Sequence, residues 1–228
     1  MIVLLAASFS AGVFLIRHSP RVVSAASGLY EVHEIKPHVF VWQPEDIVDL
    51  EGDPEFARTG TAGFVLTAEG VVVIDTTNSP FHARELLYEI RQRTEEPVRY
   101  VIDTDSEGEY TLGNEVFSDL QAAILGSPGT QAEIRRYQKN LVRRLEGDWR
   151  LQTRMRGMHP TPPNQTADAG ATLRLGGIEI RLTNFPTGLA GEPLTADTVA
   201  YLPAAKVAFA GGLIENGYYP RLAWRERG

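Results

Sequence analysis

The chain has 228 residues, 43% of them hydrophobic and 22% charged, which is enough to bury one sizeable core. A formal net charge of -7 counts against general nucleic-acid binding. With no cysteine at all, disulfides and thiolate metal sites are excluded, but an oxidising compartment is not.

Residues 1–16 carry no charged side chain. A helix of that length spans roughly 24 Å, short of the ~30 Å hydrocarbon core. Two readings fit it. One is a signal peptide, with Ser24, Ala25, Ala26 and Ser27 offering a cleavage site. The other, favoured here, is a retained membrane anchor flanked by Arg17 and Arg21, with the rest of the chain on the extracytoplasmic (periplasmic) face. By the positive-inside rule those arginines argue for the opposite orientation. Residues 17–28 form a linker, and residues 29–228 one domain.

The domain opens on a hairpin, Leu29 to Ile35 and Val39 to Trp42, turning at Lys36-Pro37-His38. An acidic loop follows, with six carboxylates between Glu45 and Glu55. A second strand pair, Thr61 to Leu66 and Val71 to Thr76, surrounds Ala68-Glu69-Gly70. The unbroken β-branched run Val71 to Ile74 predicts a strand covered on both faces. Pro80 opens a helix whose apolar face carries Leu86, Leu87 and Ile90. Then come a strand at Val98 to Asp103, a short helix after Asn114, a strand at Ala122 to Leu125 and a helix from Thr130 to about Leu145. Strands return at Thr172 to Leu175, Ile178 to Asn184, Thr198 to Tyr201 and Lys206 to Ala210. Strands interleaved with helices predict α/β layers.

Three segments carry a resemblance. The first is Gly63 to Leu66 with Val73 to Thr76. The second is Val101-Ile102-Asp103-Thr104, followed by Thr111-Leu112-Gly113-Asn114. The third is Asp197 to Pro203 with Lys206 to Gly211, running into Asn216 to Pro220. In order and spacing, residues 29–220 resemble the metallo-β-lactamase-fold hydrolases. The resemblance implies an α/β fold of the four-layer αβ/βα sandwich type, here C-terminally truncated because the family's last strand and helix would lie beyond Gly228.

It also implies where zinc ligands belong, since zinc takes imidazoles and a bridging carboxylate, and activates bound water. At the main motif Asp105 and Glu107 stand where the first two histidines would be, Glu109 replaces the aspartate and Tyr110 the last histidine. Ser127 holds the next histidine's place, Gly188 to Ala196 contain no histidine, and Gly212 replaces the bridging aspartate. The five histidines present, His18, His33, His38, His82 and His159, fall outside these positions and read as structural or surface residues. The resemblance therefore implies a degenerate member with vacated ligand positions, no catalytic residues and no cofactor.

Asp103, Asp105, Glu107 and Glu109, with Asp75 nearby in the implied fold, form a carboxylate cluster of the kind that takes Ca²⁺, Mg²⁺ or Mn²⁺. A hydrolase with a metal held by Asp105, Glu107 and Glu109 is thus one alternative, and a periplasmic small-ligand binder another. Tyr110, Ser127 and Ser106 are possible nucleophiles without a histidine to activate them. The leading expectation is a membrane-tethered, non-catalytic domain serving as accessory or scaffold subunit of a larger membrane complex, an energy-transducing assembly being one example. Two surfaces are candidates for protein partners. One is the basic face of Arg135, Arg136, Lys139, Arg143 and Arg144 on the predicted long helix, and the other the C-terminal Arg221, Trp224 and Arg225.

Overall fold

A computed structural model describes residues 30–44, 60–147, 158–168, 170–187 and 195–214. The side chains of residues 139–147 are not among what it describes. The N-terminal segment, the linker, the acidic loop at 45–55 and the C-terminal Arg221, Trp224 and Arg225 lie outside these residues, as does the truncation expected at the C-terminus.

Strands β1 (Tyr30–Lys36), β2 (Val39–Pro44), β3 (Ala62–Thr67) and β4 (Gly70–Ile74) pair antiparallel in sequence order. Each hairpin turn has a left-handed residue, His38 at φ 66° or Gly70 at φ 142°. From β4 the pairing becomes parallel: β5 (Val98–Ile102), β6 (Ala123–Gly126) and β7 (Gln165–Thr166) complete a seven-stranded sheet. Parallel strands need crossovers, and helix α1 (Pro80–Arg91) supplies the first, with Pro80 at its start and Ser79 accepting the His82 N–H as N-cap. The second crossover carries the one-turn α2 (Gly108–Thr111) and the short α3 (Asn114–Ser118). Helix α4 (Pro128–Gly147) follows β6.

A second, antiparallel sheet runs β11-β10-β9-β8, from β8 (Thr172–Leu175), β9 (Ile178–Thr187), β10 (Thr195–Leu202) and β11 (Val207–Phe209). Two cores result. One lies between α1, α3 and the first sheet, and includes Trp42, Phe64, Val71, Leu86, Ile90 and Phe117. The other lies between the sheets, and includes Val65, Val72, Ile74, Ile102, Ile180, Leu182 and Leu202. Alternate residues of β4 thus face opposite cores, which is why Val71 to Ile74 show no polar position. Among the described residues no helix is long and apolar enough to cross a membrane.

The predicted α/β layering and most predicted elements are present. Two elements were not expected. Strand β7 is two exposed residues, too short and polar to carry a pattern, and α2 forms within the motif loop from a glycine start.

Gly113, between α2 and α3, has no room for a side chain. A Cβ there would lie 2.0 Å from the Thr76 carbonyl oxygen and 2.5 Å from the Ala83 Cβ, so backbone or helix must move. Gly113→Ala is expected to destabilise the protein by about 2–3 kcal/mol, as overpacking does; a urea denaturation midpoint unchanged from wild type would contradict this packing.

Candidate functional site

The carboxyl ends of the parallel strands β4, β5 and β6 open onto one edge of the sheet, where ligands of α/β proteins bind. Asp75 leaves β4, the segment from Asp103 to Tyr110 leaves β5, and Ser127 follows β6. The structure therefore brings most of the vacated positions together.

The frame beneath them is polar and buried. Asp75, at φ 58°, accepts the Thr104 N–H at 2.8 Å on Oδ1 and the Thr104 hydroxyl at 2.6 Å on Oδ2. The Thr76 N–H donates to the Tyr110 carbonyl at 2.6 Å, and its hydroxyl to Asn114 Oδ1 at 2.7 Å. Asn114 Nδ2 donates to Asp103 Oδ2 at 2.8 Å and to the Thr161 carbonyl at 2.9 Å. From the second sheet, the Thr198 N–H donates to the Thr104 carbonyl at 2.7 Å. Thr77 sits at φ 72°, a strained conformation for a β-branched residue, and it falls in the turn that leads from this frame into α1.

On that frame each vacated position has another task. Asp105 Oδ1 accepts the N–H groups of Ser106 and Glu107, closing its own turn. Its Oδ2 faces Gly212, where a Cβ would come within 2.4 Å of it. The adjacent Gly211, at φ 51°, packs as closely on Thr104. Position 212 has no space for an aspartate while Asp105 stands opposite. The Tyr110 ring is buried between the two ends of the site. A Cβ on Gly60 would meet its Cε1 at 2.6 Å, and one on Gly212 its Cε2 at 3.8 Å. Glu109 is buried and Glu107 exposed, so these two do not face one space. Ser127 caps α4: its Oγ accepts the Thr130 N–H at 2.9 Å and donates to Thr130 Oγ1 at 3.0 Å.

Burial, with a smaller contribution from the Asp105 charge, raises Asp75 to about 8 despite its two bonds from Thr104. Burial, the Asp197 charge and the Glu109 charge raise Asp105 to about 6, against the pull of its two backbone N–H donors. Asp103 is raised well above the carboxylate range, chiefly by burial, and the described residues offer its Oδ1 no hydrogen-bond partner. Tyr110 is pushed upward by burial and by Glu109, Asp75, Asp105 and Glu107, so its phenol stays protonated. Asp197 of β10 is the acid that sequence reasoning passed over. A lone aspartate at the start of a strand carries no signal of its own, and only the register of β10 aims its charge at Asp105.

The described histidines stand elsewhere. His33 meets Glu31 on the exposed β1, His38 forms the β1–β2 turn, His82 packs on Trp42, and the exposed His159 donates its backbone N–H to Glu115. Of the basic face, Arg135 is exposed and Arg136 pairs with Glu133, while the side chains of Lys139, Arg143 and Arg144 lie outside the described residues.

Many solved structures share this arrangement. A metallo-β-lactamase from Pontibacter korlensis superposes with a TM-score of 0.57 at 21% identity, covering 83% of this chain and 74% of that one. The metallo-β-lactamase IND-7 gives 0.58 at 16% identity over 87% and 78%, and one from Hirschia baltica 0.53 at 12% over 79% and 70%. The chain has the metallo-β-lactamase fold. No family model and no curated protein matches its sequence.

Zinc, the metal implied by this fold, does not fit the residues present. No imidazole faces the site from any described position, and Asp75, Asp103 and Asp105 each accept hydrogen bonds from neighbouring residues. Among the described residues no three His, Cys, Asp or Glu side chains are grouped to hold a metal ion. A cavity of about 440 Å³ exists at the far corner of the sheets, lined by Leu125, Thr166, Asp168, Leu173 and Leu182, but none of the vacated positions lines it.

Because Asp75, Asp103 and Asp105 bind protons more tightly folded than unfolded, they lower stability above the ordinary Asp value near 3.8. The loss grows as pH rises, levelling near 6 for Asp105 and near 8 for Asp75. Urea midpoints are expected to fall steadily from pH 5 to pH 8. Asp103→Asn, which keeps an acceptor for Asn114 and removes an ionisable group, should raise the midpoint at pH 8 more than at pH 5. Equal gains at both would show that burial does not perturb Asp103.

Proposed function

We propose that this chain is a non-catalytic metallo-β-lactamase-fold domain, tethered to the membrane by residues 1–16 on its extracytoplasmic face, that acts as an accessory or scaffold subunit of a larger complex. The observation that carries the first part is the packing of Asp105 and Tyr110 against Gly212. These side chains use the space where the fold's hydrolases place metal ligands, and the carboxylates around them favour protons.

Hydrolysis on this fold needs a metal to lower the pKa of water and to polarise the scissile group. Among the described residues neither an imidazole set nor an activated nucleophile stands at the site. Ser127 is the cap of α4, and Tyr110 keeps its proton. What remains is a stable, layered body with a basic helix segment around Arg135, suited to holding other subunits. The apolar N-terminus supports the tether.

The full chain, extracted from membranes in mild detergent and purified without chelator, is expected to carry less than a tenth of an equivalent of zinc, calcium, magnesium or manganese. It is expected to leave a chromogenic β-lactam intact and to migrate with other subunits in size analysis. Stoichiometric metal that disappears in Glu109→Ala would overturn the non-catalytic reading. A lone folded 25.2 kDa species, released without detergent, would overturn the tethered scaffold.

A further inference from the structure

Away from the vacated site, α1 rests on β1 and β2 through an unusual flank. Positions 82, 85 and 89 follow one another along the helix at i, i+3 and i+7, and Arg93 lies in the turn just past its end. The His82 ring lies 5.9 Å from that of Trp42, centroid to centroid, and Tyr30 stacks on the other part of Trp42 at 5.2 Å. The Tyr30 hydroxyl donates to Glu89 Oε1 at 3.1 Å, while Arg93 reaches Glu89 Oε2 at 2.7 Å and lies over Phe40 at 5.3 Å.

Between His82 and Glu89 sits Glu85. It is only 3% exposed, and among the described residues neither of its carboxylate oxygens has a hydrogen-bond partner. The fully buried Nε1–H of Trp42 has none either. An ionised carboxylate in such a place is costly unless paired.

No cation among the described residues is placed to pair it. Just past α1, Arg93 is committed to Glu89, and on α1 Arg84 is exposed. His82 is pushed down to about 4 by burial and stays neutral, with Nδ1 2.8 Å from Asn78 Oδ1. The core beneath α1 holds the Tyr30 phenol of β1, the rings of Trp42, Phe40 and Phe64 from β2 and β3, and the apolar Val116 and Phe117 of α3. The charge that acts on Glu85, that of Glu89, is of like sign.

We propose that Glu85 is a pH-sensitive latch: as a neutral acid it lets α1 seat on the β1–β2 hairpin, and as a carboxylate it loosens that seat. Burial, helped by Glu89, raises this group from 4.5 to about 7. The folded, seated helix therefore binds the proton more tightly than the released one. Seating is strongest below pH 4.5, weakens from there to about pH 7, and gains nothing back above it. Release would reach the sheet edge, because α1 begins directly after the Asp75–Ser79 segment that Thr76 ties to Tyr110.

The test is hydrogen exchange of the α1 amides from Leu86 to Ile90 in the full chain, corrected for intrinsic rates, between pH 5.5 and 8.5. Wild-type protection is expected to fall at least tenfold more than that of Glu85→Gln, with β5 amides much less affected. Parallel curves for the two proteins would overturn the latch. Carbon-13 titration of the Glu85 carboxyl in the unmodified chain decides the matter independently of any variant. A midpoint near 7 supports the proposal, and one near 4.5 removes it.

Discussion

The clamp between Asp75 and Thr104 is the interaction on which the site edge depends. Two oxygens of one carboxylate receive the N–H and the hydroxyl of one residue, and so lock the end of β4 to the end of β5. That fixes where the chain leaves β5, and thus where residues 105–110 fall. The same Thr104 offers its carbonyl to Thr198, so the second sheet is referenced to the same point. Asn114 and Thr76 extend the network to α3 and to the Tyr110 backbone. Apart from Asp103 Oδ1 these groups are bonded to one another, and a buried network so bonded favours one arrangement.

That network has one open end, and it explains the character of the site. Asp75, Asp103, Asp105, Glu109 and Asp197 crowd the edge of the sheet, and their mutual influence is visible in the raised Asp75 and Asp105. In a metal centre a divalent ion would neutralise such a group of acids. Burial in a low-dielectric edge disfavours each charge, so Asp75, Asp103 and Asp105 favour protons in this structure. The turn at Gly211–Gly212 closes over Asp105 at a distance only glycine permits. Close packing at Gly211–Gly212 and protonation of the buried acids both shape this edge.

Much of this was legible in the sequence for simple reasons. Val71 to Ile74, Pro80 and the Leu86-Leu87-Ile90 face carry local signals strong enough to place strand and helix without a fold. The motif order then placed Asp105, Glu109, Tyr110 and Gly212 at one edge, as found. What escaped depends on tertiary register. Asp197 matters through where β10 aims it, and β7 exists because two polar residues reach the β6 edge. Glu85 reads as an ordinary solvated helix position, for nothing local announces that β1 and β2 bury it. The Arg136–Glu133 pair on α4 likewise appears only once the helix is built.

The clamp, the Asn114 bridge and the Ser127 cap all use groups that a bound ion would not need to touch. Their bonds run to backbone or to one another, and they close without help from the centre of the site. A fold whose functional edge is framed in this way separates two requirements, holding the strand ends and loading the chemistry. Here acids and a phenol ring pack at that edge, on a frame that specifies the architecture. The cost falls on the buried carboxylates, and it is felt through pH rather than through the shape of the fold.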